Sequence, residues 1–152
     1  RLVAGGVRRA GSLAATTVRI EAGEPLMGID IDGSTIPQET GLVGEAVSFT
    51  KGCYLGQELV ARIDSRGRVN RHLRGLRMTA NVIPPEGAAV VAGDLEAGTL
   101  TSVGESLALR APVGLALLRR EVGPGDPVEI RWEHGRTTAI VEEVPLDDFA
   151  GA

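Results

Sequence analysis

Cysteine, net positive charge and long apolar runs are scarce or absent in this sequence of 152 residues. The single cysteine excludes an intrachain disulfide framework and, because companion ligands are lacking, a zinc or iron–sulfur site built from this chain alone. The net charge of −4 argues against nucleic-acid binding through bulk charge, although it leaves room for a local basic patch. No apolar run approaches the roughly 20 residues that a membrane span needs, and no signal peptide is recognisable. We therefore expect a soluble, cytoplasmic protein.

The length of the chain also limits its organisation. An apolar content of 43% supports one domain core, or one small domain plus part of another. The sequence begins at Arg1 without an initiator methionine, and its first residues resemble the interior of a domain. We therefore expect a fragment of a longer protein.

The most unusual segment contains the only lysine, the only cysteine and the only tyrosine, which are Lys51, Cys53 and Tyr54. Gly52 and Gly56 flank the thiol and allow a ligand to approach the backbone closely. Lys51 supplies a positive charge, and Tyr54 supplies an aromatic face and a hydroxyl. This combination favours a reactive or ligand-contacting thiol over the alternative, a small buried apolar side chain.

The surroundings of Cys53 further define this prediction. Apolar residues recur at helical spacing over residues 57–64, so Cys53 is expected about one turn before a helix N-terminus, where the helix dipole favours a thiolate. A protease-like Cys/His dyad could use only His72 or His134, and neither has supporting sequence context.

Capping signals predict one helix, from Leu13 to Ala22, with Ser12 as its N-cap and Gly23 as its left-handed C-cap. Residues 45–50 alternate well enough to predict a short strand or an extended segment that leads into the segment around Cys53.

Beyond residue 70 the pattern changes to short apolar stretches separated by turn residues. This spacing predicts a six-stranded antiparallel barrel or sandwich. Trp132 is expected in its core and His134 at a hairpin tip. The predicted strands are Leu73–Met78, Ala88–Ala92, Thr99–Val103, Val113–Leu118, Pro127–Trp132 and Thr137–Val144.

Two further patterns admit competing interpretations. A run of arginines could bind carboxylates or RNA phosphates, but a solvated face with ion pairs is favoured. Asp30 and Asp32 resemble the start of a calcium loop, but the closing glutamate is missing, so a turn is the better prediction. The arginines are Arg62, Arg66, Arg68, Arg71, Arg74 and Arg77.

The eight residues from Lys51 to Glu58, KGCYLGQE, resemble the signature of the YgfZ family, folate-binding proteins related to the T protein of the glycine cleavage system. Three other segments are similar to the family in the same order: residues 18–23, 36–39 and 59–62. The resemblance implies an α+β chain in which residues 1–70 are the C-terminal part of an aminomethyltransferase-like, folate-binding domain, an incomplete α/β segment. Residues 71–152 would form the C-terminal six-stranded antiparallel β-barrel.

The resemblance also implies a function. It points to an accessory role in iron–sulfur protein maturation or repair and in tRNA modification, with tetrahydrofolate or a derivative as cofactor and no metal in this chain. Cys53 would be the catalytic candidate. The cofactor-binding candidates are Lys51, Gly52, Tyr54, Gly56, Gln57, Glu58, Arg19 and Glu21, although a helix-surface ion pair explains Arg19 and Glu21 equally well.

The expected partners and the rival functions follow from the same resemblance. We expect an N-terminal half of the same protein to complete the folate site, with iron–sulfur proteins as further partners, only indirect or weak tRNA contact and no membrane. One rival is an aminomethyltransferase, against which Cys53 argues, and the other is a non-catalytic barrel interaction module. Whether there is a tetrahydrofolate-dependent one-carbon activity stays open, and we expect this fragment alone to be inactive.

Overall fold

The structure, a computed structural model, describes residues 5–6, 9–58 and 69–146. Within these residues, two α-helices and a 3₁₀ turn with described bounds precede six β-strands, and a further helical segment begins at Gln57. The helices are α1 (Ser12–Ala22) and α2 (Val43–Ala46), and the 3₁₀ turn is Pro37–Glu39. The strands are β1 (Arg71–Met78), β2 (Ala89–Ala92), β3 (Leu95–Ser106), β4 (Ala111–Arg119), β5 (Pro127–Trp132) and β6 (Gly135–Glu142).

The six strands close into an antiparallel barrel in the order β1-β4-β3-β2-β5-β6. Strand β1 pairs with β4 from Arg71 opposite Arg119, and it closes the barrel by pairing with β6 from Gly75 opposite Glu142. The predicted six-stranded antiparallel barrel is therefore confirmed. Closure satisfies the backbone groups on both sides of each strand, which an open sheet would leave exposed at its edges.

Alternating side chains from all six strands fill the inside of the barrel. Leu76, Leu100, Ile130 and Val141 have no exposed surface there, and Trp132 packs against the same cluster while remaining partly exposed. Burial of each large aliphatic side chain stabilises the fold by about 1.5–3 kcal/mol. The barrel interior is therefore the main hydrophobic core of the described chain.

A second hydrophobic cluster lies on the outer face of β1 and β4. There, Ile20 of α1 and Leu146, which follows β6, cover Leu73, Val113 and Leu115. The backbone N–H of Leu146 also donates a hydrogen bond of 2.7 Å to the carbonyl oxygen of Glu21. Helix α1 is thus packed against the barrel by residues from both ends of the described chain.

Helix α1 confirms the predicted helix with one difference at its start. Gly23 has a φ of 71° and its N–H caps the helix through the carbonyl oxygen of Ile20, as expected for a left-handed C-cap. At the other end, Gly11 is the N-cap residue and makes no side-chain hydrogen bond, whereas Ser12 is the first helical residue. The prediction that Ser12 caps α1 is therefore wrong.

Residues 45–50 do not form the predicted short strand, although Val47 at the end of α2 has an extended backbone, with a φ of −115° and a ψ of 126°. Glu45 and Ala46 belong to α2, whose turn is closed by a 2.8 Å hydrogen bond from the N–H of Ala46 to the carbonyl oxygen of Leu42. Because the barrel is closed, no strand edge is left there for a seventh strand to pair with in the part of the chain that the structure describes. Within the same part, no helix is long and apolar enough to span a membrane.

Candidate functional site

The segment Lys51–Glu58 forms a turn at the surface. The Lys51 ammonium lies 4.7 Å from the centroid of the Tyr54 ring, which is within range of a cation–π interaction. The turn is closed by a 3.2 Å hydrogen bond from the N–H of Gln57 to the carbonyl oxygen of Tyr54. Gly56 has a φ of 85°, a conformation that glycine adopts without strain. The structure therefore brings Lys51 and Tyr54 together.

Cys53 is a free thiol and is exposed, so it is not a buried apolar side chain in this structure. The hydroxyl of the neighbouring Tyr54 is buried and has no hydrogen-bond partner within the described residues. Gln57 and Glu58 are helical, as predicted, and residues 59–64 of the predicted helix lie outside the described residues.

A buried polar network joins α1 to the barrel. The Arg19 guanidinium donates hydrogen bonds of 2.6 Å to the Asp30 carboxylate and 2.6 Å to the Ser102 hydroxyl. The hydroxyls of Thr101 and Ser102 on β3 donate to the other Asp30 oxygen, at 2.6 and 2.7 Å. The N–H of Leu26 completes the set at 2.9 Å. The Asp30 side chain is fully buried, so it is held entirely by these protein groups.

The Asp30 carboxylate is ionised because its partners outweigh its burial. Burial alone raises the pKa of Asp30, but the hydrogen bonds from Thr101, Leu26 and Ser102, together with the positive charge of Arg19, hold that pKa below its ordinary value. Arg19 is a predicted cofactor contact, and its guanidinium is already engaged in this network. Its cofactor-binding role stays a prediction.

An apolar cavity of about 660 Å³ lies between α1 and the β3–β4 hairpin; we call it the helix-side cavity. Glu21 lines it and is only 5% exposed. Its carboxylate has no hydrogen-bond or ion-pair partner among the residues that the structure describes. The cavity also has two exposed leucines at its rim, Leu13 and Leu107. The other lining residues are Ala14, Thr16, Thr17, Val18, Ile83, Glu86, Val103, Gly104, Glu105 and Ala108.

A second, more polar cleft of about 440 Å³ lies between the loop of residues 28–35 and strands β3 and β4. Arg71 and Arg119, which face each other across β1 and β4, both line this cleft. Arg71 is bound to the Glu39 carboxylate by two hydrogen bonds of 2.9 and 3.0 Å, and this interaction raises the pKa of Arg71. The Arg71 guanidinium is therefore already bound to the Glu39 carboxylate.

The described arginines of the basic run are all ion-paired. Arg71 pairs with Glu39, Arg74 pairs with Glu143 at 2.8 Å, and Arg77 pairs with a carboxylate of β6 at 2.6 Å. This favours the interpretation of the run as a solvated, ion-paired face. Its other members, at positions 62, 66 and 68, lie outside the described residues.

The two aspartates that resemble a calcium loop have different roles. Asp32 accepts a 2.8 Å hydrogen bond from the N–H of Ser34, which confirms the predicted turn. Asp30, two residues earlier, is instead the centre of the buried network, a role that was not predicted from the sequence. The only local signal was its place between two apolar residues, Ile29 and Ile31. Within the described ranges, no group of three acidic, histidine or cysteine side chains could hold a metal ion.

The predicted site residues therefore separate into two regions. Glu21 lines the helix-side cavity, whereas none of the motif residues Lys51–Glu58 is among the lining residues of either described cavity. The predicted role of Cys53 as a catalytic or ligand-contacting thiol stays a prediction.

Known proteins resemble both the sequence and the fold. The chain is 31% identical to an aminomethyltransferase from Pseudothermotoga lettingae over 93% of this chain and 38% of that protein. It is 40% identical to the human mitochondrial iron–sulfur cluster assembly factor IBA57, over 74% of this chain and 31% of that protein. It is 44% identical to the tRNA-modifying protein YgfZ of Pectobacterium carotovorum, over 47% of this chain and 22% of that protein.

A solved structure shares the same fold. The glycine cleavage system aminomethyltransferase T of Bartonella henselae superposes with a TM-score of 0.83 at 23% identity, covering 97% of this chain and 42% of that one. The chain thus spans less than half the length of each of these relatives.

These similarities agree with the expected YgfZ-like C-terminal half. Residues 71–148, which include all six strands of the barrel, match the family described as the glycine cleavage T-protein C-terminal barrel domain. The chain belongs to this family, and the resemblance to YgfZ proteins is confirmed.

Proposed function

We propose that this chain is the C-terminal half of a folate-binding accessory protein that supports iron–sulfur protein maturation or repair and tRNA modification. Two relatives carry names that describe these roles, an iron–sulfur cluster assembly factor and a tRNA-modifying protein. In this proposal tetrahydrofolate binds between the chain and an N-terminal half of the same protein. A cytoplasmic location is part of the same proposal.

The observation that carries the proposal is the unpaired Glu21 carboxylate in the helix-side cavity. Glu21 is 5% exposed as a residue, but its carboxylate oxygens are not among the buried atoms that lack a hydrogen-bond partner. They therefore open onto the cavity, where donors of a ligand can stabilise them. The apolar wall suits a flat heterocycle, and the N–H groups at the edge of a pterin ring are donors that a carboxylate binds well. The residues of the cavity therefore fit tetrahydrofolate, with Glu21 as the group that orients it.

Other residues have supporting parts in this proposal. Cys53, Lys51 and Tyr54 would contribute to the opposite wall once the N-terminal half is in place. Tetrahydrofolate supplies the one-carbon chemistry when it is bound, whereas this chain binds it, orients it and excludes water from it. Catalysis by this chain alone is not expected.

The proposal is tested by tetrahydrofolate binding to the full-length protein, meaning this chain together with its N-terminal half. Glu21→Gln removes the charge and keeps the shape of the side chain, and it should weaken the Kd by about 10- to 100-fold, as expected for the loss of a charged hydrogen bond. Glu24→Gln is the matched control, because Glu24 is an exposed carboxylate just beyond α1. An unchanged Kd in Glu21→Gln would overturn the proposed site.

The motif requires a separate test in cells. Cys53→Ala and Lys51→Ala should each lower the activity of iron–sulfur enzymes in cells that depend on the full-length protein. Glu45→Gln, an exposed position on α2 six residues before Lys51, serves as the control outside the motif. Full activity of both motif variants would remove Cys53 and Lys51 from the functional site.

Aminomethyl transfer is the second candidate, because the aminomethyltransferase from Pseudothermotoga lettingae matches 93% of this chain. Glycine-cleavage assays of the full-length protein distinguish the two functions. Tetrahydrofolate-dependent cleavage activity would favour the transferase, whereas binding without cleavage would favour the accessory role.

A further inference from the structure

We propose that Asp30 is a positioning residue, which fixes helix α1 against strand β3 and thereby sets where the Glu21 carboxylate lies in the helix-side cavity. The inference rests on the proposed function, because it assigns Glu21 to the ligand.

Each oxygen of the Asp30 carboxylate accepts two hydrogen bonds from protein donors. One carboxylate oxygen accepts from Arg19 and from the N–H of Leu26, and the other accepts from the hydroxyls of Thr101 and Ser102. These donors come from three separate segments, namely α1, the loop after it and β3. A fully buried carboxylate with four donors holds all three segments in one arrangement.

The strand that holds Asp30 also forms the cavity wall. Ser102 binds both Asp30 and Arg19, and the next residues of β3, Val103 to Glu105, line the helix-side cavity. On the helix, Arg19 and Glu21 are two residues apart. Because the helix and the strand are both regular and hydrogen-bonded, any displacement of α1 relative to Asp30 also moves Glu21 relative to the β3 residues that line the cavity.

A close contact between α1 and β3 shows how little clearance the helix has. A Cβ atom added to Gly104 would lie 2.7 Å from the Thr17 hydroxyl oxygen and 3.4 Å from the Thr17 Cα. Glycine at this position therefore allows the helix to approach β3 closely. The contact lies at the cavity itself, since both residues line it.

The position of the Glu21 carboxylate depends on these contacts because the carboxylate itself makes no hydrogen bond or ion pair with a described residue. The place of Glu21 therefore follows from the backbone of α1 and from packing around the side chain, which is 5% exposed. The backbone in turn is held by Asp30, by Gly104 and by the packing of Ile20. Ligand affinity should therefore respond to changes at Asp30, which does not line the helix-side cavity.

The first test compares tetrahydrofolate binding by the full-length wild type, Asp30→Asn and Gly104→Ala. Both variants should weaken the Kd by about tenfold, since misplacement of a single binding group has effects of this order. Val90→Ala is the control for stability, because Val90 is fully buried in the barrel interior and away from α1. It should lower the melting temperature and leave the Kd unchanged when binding is measured well below that temperature. Should Asp30→Asn fail to fold, Ser102→Ala removes part of the same network.

The second test needs no ligand and separates the inference from the proposed function. Amide hydrogen exchange over Ser12–Ala22 should accelerate by about tenfold in Asp30→Asn relative to the β1 amides, as expected for local loosening. Unchanged exchange in α1 would overturn the positioning role even if folate binds.

Failure of the wild type to bind tetrahydrofolate would overturn the proposed function. The exchange measurement would then still test, on its own, whether Asp30 positions α1. Normal wild-type binding with an unchanged Kd in Asp30→Asn and Gly104→Ala would overturn the inference alone.

Discussion

The barrel interior is stabilised by apolar burial, whereas the junction between α1 and the barrel is stabilised by directional hydrogen bonds to one carboxylate. The interior is an apolar cluster in which any side chain of suitable size contributes through burial, without a required direction. The junction depends on one carboxylate and four donors whose directions and distances must all be right. The barrel therefore supplies most of the stability, and the junction supplies a defined arrangement next to the candidate ligand site.

The largest expected effect is in the barrel interior. Leu76→Ala should lower the free energy of unfolding by about 2–5 kcal/mol, because the side chain has no exposed surface and leaves a cavity. Urea denaturation measures the change. Leu107→Ala is the control, since Leu107 is 85% exposed at the β3–β4 turn. Equal losses in the two variants would contradict the assignment of the interior as the main core.

The junction should be distinguished from the interior by its dependence on pH. The folded-state pKa of Asp30 lies below the ordinary value of 3.8, so the unfolded chain takes up the proton first as the pH falls. The stabilisation from Asp30 is therefore complete above that ordinary value and is lost as the pH falls through the folded-state pKa.

This pH dependence is measurable as the free energy of unfolding at a series of values from about pH 6 downward. Asp30→Asn should flatten the acid limb of the curve, and Leu76→Ala should lower the whole curve without changing its slope. An acid limb in Asp30→Asn as steep as that of the wild type would show that other carboxylates are responsible.

A smaller effect is expected where β3 and β4 approach closely. A Cβ atom at Gly98 would lie 2.4 Å from the carbonyl oxygen of Leu117, which is backbone and cannot rotate away. Gly98→Ala should therefore cost about 1–3 kcal/mol through overpacking. Gly123→Ala is the matched control, because nothing lies within 4 Å of an added Cβ there. Thermal unfolding of the pair gives the difference.

The smallest effect is expected on the outer surface. The Arg77 side chain, which is 46% exposed, pairs with Glu142 at 2.6 Å. Exposed ion pairs contribute about 0–1 kcal/mol, so Arg77→Gln should change the unfolding free energy by no more than that, and less at high salt. A loss as large as that in Leu76→Ala would mean that Arg77 has a role beyond this pair.

The sequence predicted the barrel well because its signal is local. Short apolar stretches between turn residues identified all six strands, and Pro127–Trp132 matches β5 at both ends. Strand β3 was predicted too short, as Thr99–Val103 instead of Leu95–Ser106, because glycine and glutamate on its outer side interrupt the apolar pattern. Burial on one face is enough to predict a strand, but its exact length depends on its pairing partners.

The junction could not be predicted from the sequence because its contacts are not local. Asp30 binds Thr101 and Ser102, which lie 71 and 72 residues further along the chain. Near Asp30 itself, the pattern resembles an ordinary turn, and Asp32 does form one. Glu21 was identified through the resemblance alone, and its burial beside an apolar cavity became visible only in the fold.

The hydrogen bond between Leu146 and Glu21 has a consequence for synthesis on the ribosome. It joins the first helix to a residue beyond the last strand, so α1 leaves the exit tunnel long before the contact can form. At about 5–20 residues per second, the delay amounts to roughly 6–25 seconds. During that interval Ile20 and the rest of the inward face of α1 are without their final cover. The contact of α1 with Leu146 therefore forms only after translation of the barrel is nearly finished.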